Sequence, residues 1–295
     1  MTLRLATRGS KLALAQAGAV AELLGGGELI EASSDGEPGD KSRFVRAVEQ
    51  ELLEGRAQIG VHSAKDLPAS LTEGLVIAGV PAREEAADAW VGKGSISLDG
   101  VPEGSKVGTS SLRRRAQILA RRRDLEVVEL HGNVDTRLQR LRGKKLDAIV
   151  LAAAGLRRLK REKRITFLLD TGVMTPAAGQ GALALQTRED DDQAREAAAA
   201  ISDEAALAEL TAERAVVAAL DASCNTPIGI HAVHQGDRLH IEAFVGLPDG
   251  TIWVRDRLDG EADDPAELGE ELARRMVAAG ASHILQMAEE RVAQS

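Results

Sequence analysis

Through the first half of the chain, short apolar runs alternate with longer stretches whose apolar residues recur three and four positions apart. LRLAT, LIEAS, AQIGVHS and LVIAGV read as strands, and SKLALAQAGAVAELL reads as a helix with Ser10 placed to cap it. RFVRAVEQELLEG sets Phe44, Val45, Val48, Leu52 and Leu53 on one helical face, with Gly55 as its stop. After Pro81 the pattern resumes through DAWVG, SKVGTS, an arginine-rich helix, LEVVEL, the helix VDTRLQRLRG and LDAIVLAAAG. Strands alternating with helices predict α/β units on largely parallel sheet.

From about residue 190 the texture changes. Two alanine-rich helices, DDQAREAAAAI and DEAALAELTAERAVVAAL, lead into a polar loop, DASCNTPIG. Three apolar runs follow, IGIHAVH, LHIEAFVG and TIWVRDRL, joined by the turn signals QGDR and LPDG, which predicts an antiparallel meander. The helix DPAELGEELARRMVAAG is expected to close the chain. The expected architecture is two α/β lobes, 1–81 plus 178–200 and 82–177, and a smaller α+β domain, 201–295.

Composition narrows this picture. With three Phe, two Trp and no Tyr among 295 residues, the core is built from Ala, Leu, Val and Ile. A net charge of −9 argues against general attraction to nucleic acid or an anionic membrane. Cys224 is the only cysteine, which excludes an internal disulfide. No window approaches the roughly 18 uninterrupted apolar residues of a spanning helix, and MTLRLATRGS lacks the apolar run of a leader, so a cytoplasmic protein is expected.

Polar residues cluster after four of the strands. Thr7, Arg8 and Ser10 follow LRLA; His62, Ser63, Lys65 and Asp66 end AQIGV; Thr109, Ser110 and Ser111 follow SKV; His131, Asn133 and Arg137 follow LEVVEL. Ligands in open α/β sheets bind outside the carboxyl ends of strands, so these clusters are expected to line a cleft. TSSLRRR reads as a helix start. Arg113 and Arg114 there add like charge to the positive end of the dipole, an arrangement that favours an anion at that end. Arg121, Arg122 and Arg123 fall in the last turn, where a solvated helix end is the simpler reading. Nucleic acid is the other partner such arginines suit, and the acidic total and scarce aromatics weigh against it. A loop cysteine facing a basic cleft is a partly ionised thiol, hence a nucleophile or attachment point, rather than a small core residue.

Taken together, ATRGS, VHSAKDLP, VGTSSLRRR, GNVDTRL, DAIVLAAAGLRRL, AAGQGALAL, TAERAV and CNTPIG resemble the porphobilinogen deaminase family, in its order and over essentially the whole chain. The resemblance implies a cytoplasmic, monomeric transferase of tetrapyrrole biosynthesis. It joins four porphobilinogen units head to tail into hydroxymethylbilane and releases four ammonia. The fold it implies is two lobes like those of type II periplasmic receptors, with a third domain presenting a dipyrromethane cofactor into their cleft. That cofactor is implied to be thioether-linked to Cys224. Asp66 is the implied catalytic group, the one acidic residue expected inside, stabilising the cationic pyrrole left by ammonia loss and moving protons. Cofactor carboxylates and rings are implied to meet Lys65, Ser63, Thr109, Ser111, Arg113, Arg114, Asn133 and Arg137, and substrate to meet Arg8, Ser10, His131, Arg158 and Lys41. No metal or nucleic acid enters this reading. Two departures stand out: His131 occupies a position where the family has arginine, and PGDKSRF replaces a glycine-rich GGKGLF while keeping Lys41 and Phe44. A non-enzymatic anion receptor of the same two-lobed shape is the alternative, and it needs no third domain with a loop cysteine.

Overall fold

The computed structural model describes residues 2–33, 42–93, 96–143, 145–222 and 226–293. The alternation forms as patterned. The first elements are β1 (Arg4–Arg8), α1 (Lys11–Leu23), β2 (Glu28–Ala32), α2 (Ser42–Leu53), β3 (Ile59–Ser63) and β4 (Leu75–Gly79). Next come β5 (Asp88–Gly92), β6 (Lys106–Gly108), α3 (Leu112–Arg121), β7 (Glu126–Val128), α4 (Val134–Arg142), β8 (Ala148–Ala152), α5 (Ala153–Arg158) and β9 (Phe167–Leu168). The chain continues through β10 (Leu183–Arg188), α6 (Asp192–Ala200) and α7 (Glu204–Ala219). It ends with β11 (Ile228–Gln235), β12 (Arg238–Gly246), β13 (Trp253–Glu261), α8 (Pro265–Ala278) and α9 (Ala281–Ala293).

Two five-stranded sheets share one plan. The first runs β2-β1-β3-β10-β4 and the second β7-β6-β8-β5-β9. In each, one strand is antiparallel to its neighbours: β10 between β3 and β4, and β5 between β8 and β9. Each of these strands forms just after the chain has crossed from the other sheet. The two lobes are therefore tied by paired crossings, the topology of two-lobed type II receptors. The remaining strands β11-β12-β13 form the antiparallel meander.

The cores are aliphatic, as the composition requires. In the first lobe Ala17 and Val20 of α1 pack on Leu5, Ile59, Val61 and Leu185. In the second, Trp90 stacks on Phe167 with centroids 5.7 Å apart, among Val107, Ile118 and Val150. The meander buries Ile230, Ile241 and Val245 against Val216, Leu272, Met276 and Leu285 of α7, α8 and α9. Gly269 permits the approach of α8 to α7, because a Cβ there would lie 2.3 Å from the Ala212 carbonyl oxygen. Among the described residues, no helix is long and apolar enough to cross a membrane.

Two expectations are corrected here. The chain does not close at Gly280: α9 follows, its Ile284, Leu285 and Ala288 completing the third core. Arg122 is not a solvated helix end. Its guanidinium donates to the carbonyls of Leu98 (2.7 Å), Asp99 (3.2 Å) and Val101 (2.8 Å) and forks onto Asp124, pinning the end of α3 to the turn before β6. Arg122→Ala is expected to cost about 1.5–3 kcal/mol, the scale of hydrogen bonds to a charged group. Exposed Arg123→Ala should stay within about 0.5 kcal/mol. Denaturant midpoints of the two variants measure the contrast.

Candidate active site

The polar clusters do follow the carboxyl ends of parallel strands, β1 and β3 in one lobe and β6 and β7 in the other. Local folding first consumes several of their side chains as caps. Ser10 Oγ accepts from Ala13 N at the start of α1 (3.2 Å), and Ser111 Oγ accepts from Arg114 N at the start of α3 (3.4 Å). Asn133 Oδ1 accepts from Thr136 N at the start of α4 (2.9 Å). Thr109 is buried and accepts from Ser111 N (3.2 Å), while Ser63 exchanges hydrogen bonds with Gln16 of α1. Each satisfies amides or amide side chains that the strand-to-helix turns leave open.

In the first lobe, Lys65 and Asp66 lie in a 3₁₀ turn directly after β3. Arg8, at the end of β1, donates to Asp66 Oδ2 (3.4 Å), and its guanidinium carbon lies over the Phe44 ring, 4.0 Å from its centroid. Asp66 Oδ1 accepts from no described residue. Behind them His62 is buried, and burial pushes its imidazole down to about 4, so it is neutral at neutral pH. Burial and the neighbouring Arg114 push the Lys65 ammonium down to about 8.

In the second lobe, Arg113 and Arg114 stand in the first turn of α3. Both are buried, and both point to a carboxylate that the sequence reading passed over: Asp88, fully buried at the head of β5. Asp88 Oδ2 accepts from Arg113 Nη1 (2.8 Å), and Oδ1 accepts from Arg114 Nε (3.0 Å), Arg114 Nη2 (2.8 Å) and Gln180 Nε2 (2.9 Å). The anion that this helix start required is therefore supplied by the chain itself, and Asp66 is not the only acidic group inside. Burial alone would disfavour the Asp88 carboxylate; the two guanidinium groups outweigh it and hold its pKa far below the usual range. One signal was legible. A charged residue heading DAWVG, a run with no polar alternation, has to be buried with partners.

Gln180, on the returning crossing, joins the lobes. Its amide donates to Ala86 O (2.6 Å) and Asp88, and its Oε1 accepts from Lys65 Nζ (3.3 Å). Flanking glycines make this approach possible: a Cβ on Gly179 would lie 2.8 Å from Lys65 N, and one on Gly181 would lie 2.1 Å from Glu84 O. Arg158 Nη2 donates to Gly181 O (2.7 Å), beside Gln180. Arg137 donates to Gly132 O and Ser110 Oγ. Burial, with Arg114 and Arg140 nearby, pushes its guanidinium down to about 10. Among the described residues, neither Arg137 nor Arg158 forms an ion pair with a carboxylate.

One continuous set thus links Arg8, Asp66, Lys65, Gln180, Asp88, Arg113 and Arg114, with Arg137 and Arg158 beside it. His131 does not join it. Its ring is exposed and lies 2.8 Å from Glu129 Oε1, and its carbonyl accepts from exposed Arg140 (3.2 Å). Asn133 is likewise exposed. Lys41 and Cys224 lie outside the described residues.

Such a concentration of guanidinium and ammonium groups suits a ligand with several carboxylates. Residues 3–196 match the model for "Porphobilinogen deaminase, dipyromethane cofactor binding domain", and residues 207–278 match "Porphobilinogen deaminase, C-terminal domain". The chain belongs to the porphobilinogen deaminase family. The porphobilinogen deaminase of Roseiflexus castenholzii is 41% identical over 299 residues, covering 96% of this chain and 98% of that protein. That of Rubrobacter xylanophilus is 43% identical over 294 residues, covering 95% of each. Among solved structures, a Methionine Binding Protein overlays 68% of this chain and 89% of its own at 14% identity, with a TM-score of 0.43. That superposition is too loose to carry an argument, and the receptor-like topology rests on the strand orders. Within the family frame, the two matched segments take in both lobes and the meander with α7 and α8.

Proposed function

We propose that the space between the carboxyl ends of the two sheets is where this member of the family grows its product, on a dipyrromethane cofactor carried by Cys224. The activity of the family is that of a hydroxymethylbilane synthase: four porphobilinogen molecules are joined head to tail and four ammonia are released. One observation carries the assignment to this site. The segment matched to the cofactor-binding model contains, from both lobes, the cations that converge around Gln180.

The residues fit the group. Its rings carry acetate and propionate side chains, and the chain offers Lys65, Arg113, Arg114 and Arg137 to them, with Ser63, Thr109, Ser111 and Asn133 as hydrogen-bonding neighbours. Arg137 meets this need most directly, since among the described residues its guanidinium has only neutral partners. When bound, the cofactor supplies the pyrrole carbon to which the first substrate is joined. Arg8, Ser10, His131, Arg158 and Lys41 are assigned to incoming porphobilinogen. Asp66 is assigned the chemistry. Its unclaimed Oδ1 accepts the pyrrole N–H of substrate, its charge offsets the positive charge that develops as ammonia leaves, and its carboxylate receives and returns protons within reach. Arg8 orients that carboxylate through its hydrogen bond to Oδ2.

The three sheets are proposed to mark three domains, 1–81 plus 178–200, 82–177 and 201–295, working as a cytoplasmic monomer without nucleic acid. The test is the intact mass of the purified protein. It should exceed the sequence mass by two porphobilinogen-derived units, with the increment mapping to the peptide that contains Cys224. The same preparation should release four ammonia per hydroxymethylbilane. An unmodified protein with full activity overturns the cofactor assignment.

A further inference from the structure

The ten N–H bonds of Arg113 and Arg114 are spent unequally. Arg114 turns its side-on edge, Nε and Nη2, onto Asp88 Oδ1, and gives Nη1 to Val150 O (3.0 Å). Arg113 uses Nη1 alone, once on Asp88 Oδ2 and once on Thr175 O (2.7 Å). Its Nε and Nη2 bond no described residue, and neither is among the buried atoms left without a partner. That is the edge with which a guanidinium grips a carboxylate bidentately. With both Nη1 hydrogens held, one by Asp88 on β5 and one by Thr175 on the returning crossing, the guanidinium plane is fixed before any ligand arrives.

We propose that Asp88 is a positioning residue that aims the free side-on edge of Arg113 at a ligand carboxylate and, by binding Arg114 through the opposite oxygen, keeps the two like charges together in one buried place. This rests on the carboxylate-binding reading above and sharpens it: of the pair, Arg113 supplies the grip and Arg114 holds the carboxylate that aims it. The charge balance favours the arrangement. One carboxylate between two guanidinium groups leaves a net positive trio, enough to attract an acid without two bare cations in a dry interior. Gln180 completes the setting, since its amide donates to the same Asp88 oxygen that Arg114 uses and its Oε1 faces Lys65. The Asp88 carboxylate therefore also sets the distance between the two lobes' cations.

A double-mutant cycle on the holoenzyme tests this. Asp88→Asn and Arg113→Lys should each raise KM for porphobilinogen, or lower the cofactor-bearing fraction seen by intact mass, by about tenfold or more. The double variant should be no worse than the more damaged single, because Asp88 acts through Arg113. Losses that multiply, or an Asp88→Asn protein with unchanged KM and cofactor content, overturn the proposal. If Asp88→Asn does not fold, the comparison of Arg113→Lys with Arg114→Lys decides. The first should raise KM at an unchanged melting temperature, and the second should lower the melting temperature. Equal KM and melting changes in both overturn the division of roles. A wild-type protein without the mass increment or porphobilinogen consumption would instead overturn the functional reading, whatever the variants do.

Discussion

Asp66→Asn is expected to melt at the temperature of the unchanged protein and to lose turnover by about a thousandfold, within the range of removing a general acid–base or a preorganised charge. The side chains are nearly isosteric, so the 3₁₀ turn after β3 is not disturbed. In the fold, Asp66 has one described partner, Arg8 at 3.4 Å, and the pair is partly exposed. Such a pair contributes at most about 1 kcal/mol to stability. What the amide cannot do is carry negative charge beside a pyrrole that becomes positive as ammonia leaves. An Asn Oδ1 still accepts a hydrogen bond, so KM should change far less than kcat. Steady-state kinetics with a melting curve and an intact mass on the same sample separates the outcomes. A normal kcat returns Asp66 to a loop ion pair, and a missing cofactor mass moves its role from turnover to cofactor assembly.

The strand and helix alternation was legible because both periods are local. Val45, Val48 and Leu52 lie on one face of α2 in the sequence and are buried in the fold. The caps Ser10 and Ser111 were legible for the same reason, since each acts within three residues. Pairings between distant segments were not. Nothing local says that Leu183–Arg188 enters the first sheet antiparallel to β3, or that Asp88 meets Arg113 and Arg114, 25 and 26 residues away. The clustering of arginines was visible, but the anion that balances it sits on a strand of the same lobe, so a ligand was inferred where the chain first supplies its own carboxylate. Helix α9 was missed because Gly280 reads as a stop. It is a stop, with a φ of +95°, and a second helix starts immediately beyond it.

The other large effect expected is on stability, at Glu213. This fully buried carboxylate on α7 faces Arg83, which donates Nη1 to Oε1 (2.8 Å) and Nη2 to Oε2 (3.2 Å). Oε2 also accepts from Gly179 N (2.5 Å) and Oε1 from Ala232 N (2.8 Å). Arg83 belongs to the outgoing crossing, Gly179 to the returning one and Ala232 to the meander. One side chain therefore fastens the third domain to both crossings, next to Gln180, whose carbonyl takes Arg83 Nε (3.0 Å). Glu213→Ala removes the charge and leaves two buried backbone donors without acceptors. Among the described residues, Arg83 then retains only Glu209 (3.2 Å) and the Gln180 carbonyl. Breaking a buried pair from one side costs about 3–5 kcal/mol, a large share of the roughly 5–15 kcal/mol that holds a domain folded. Glu213→Gln should cost less, since an amide oxygen can still accept from one of the donors. The sign with pH is fixed. Burial raises the Glu213 carboxyl, Arg83 together with the adjacent His231 outweighs it, and the folded-state pKa is net lowered. The contribution is therefore complete above the ordinary carboxyl range and is lost as pH falls through the lowered folded value. Denaturant midpoints at neutral pH and toward acid should show the wild type and Glu213→Gln far apart at neutral pH and converging as acid protonates the native carboxylate. A gap that stays constant with pH would mean that the Glu213 charge does not hold the crossings to the third domain.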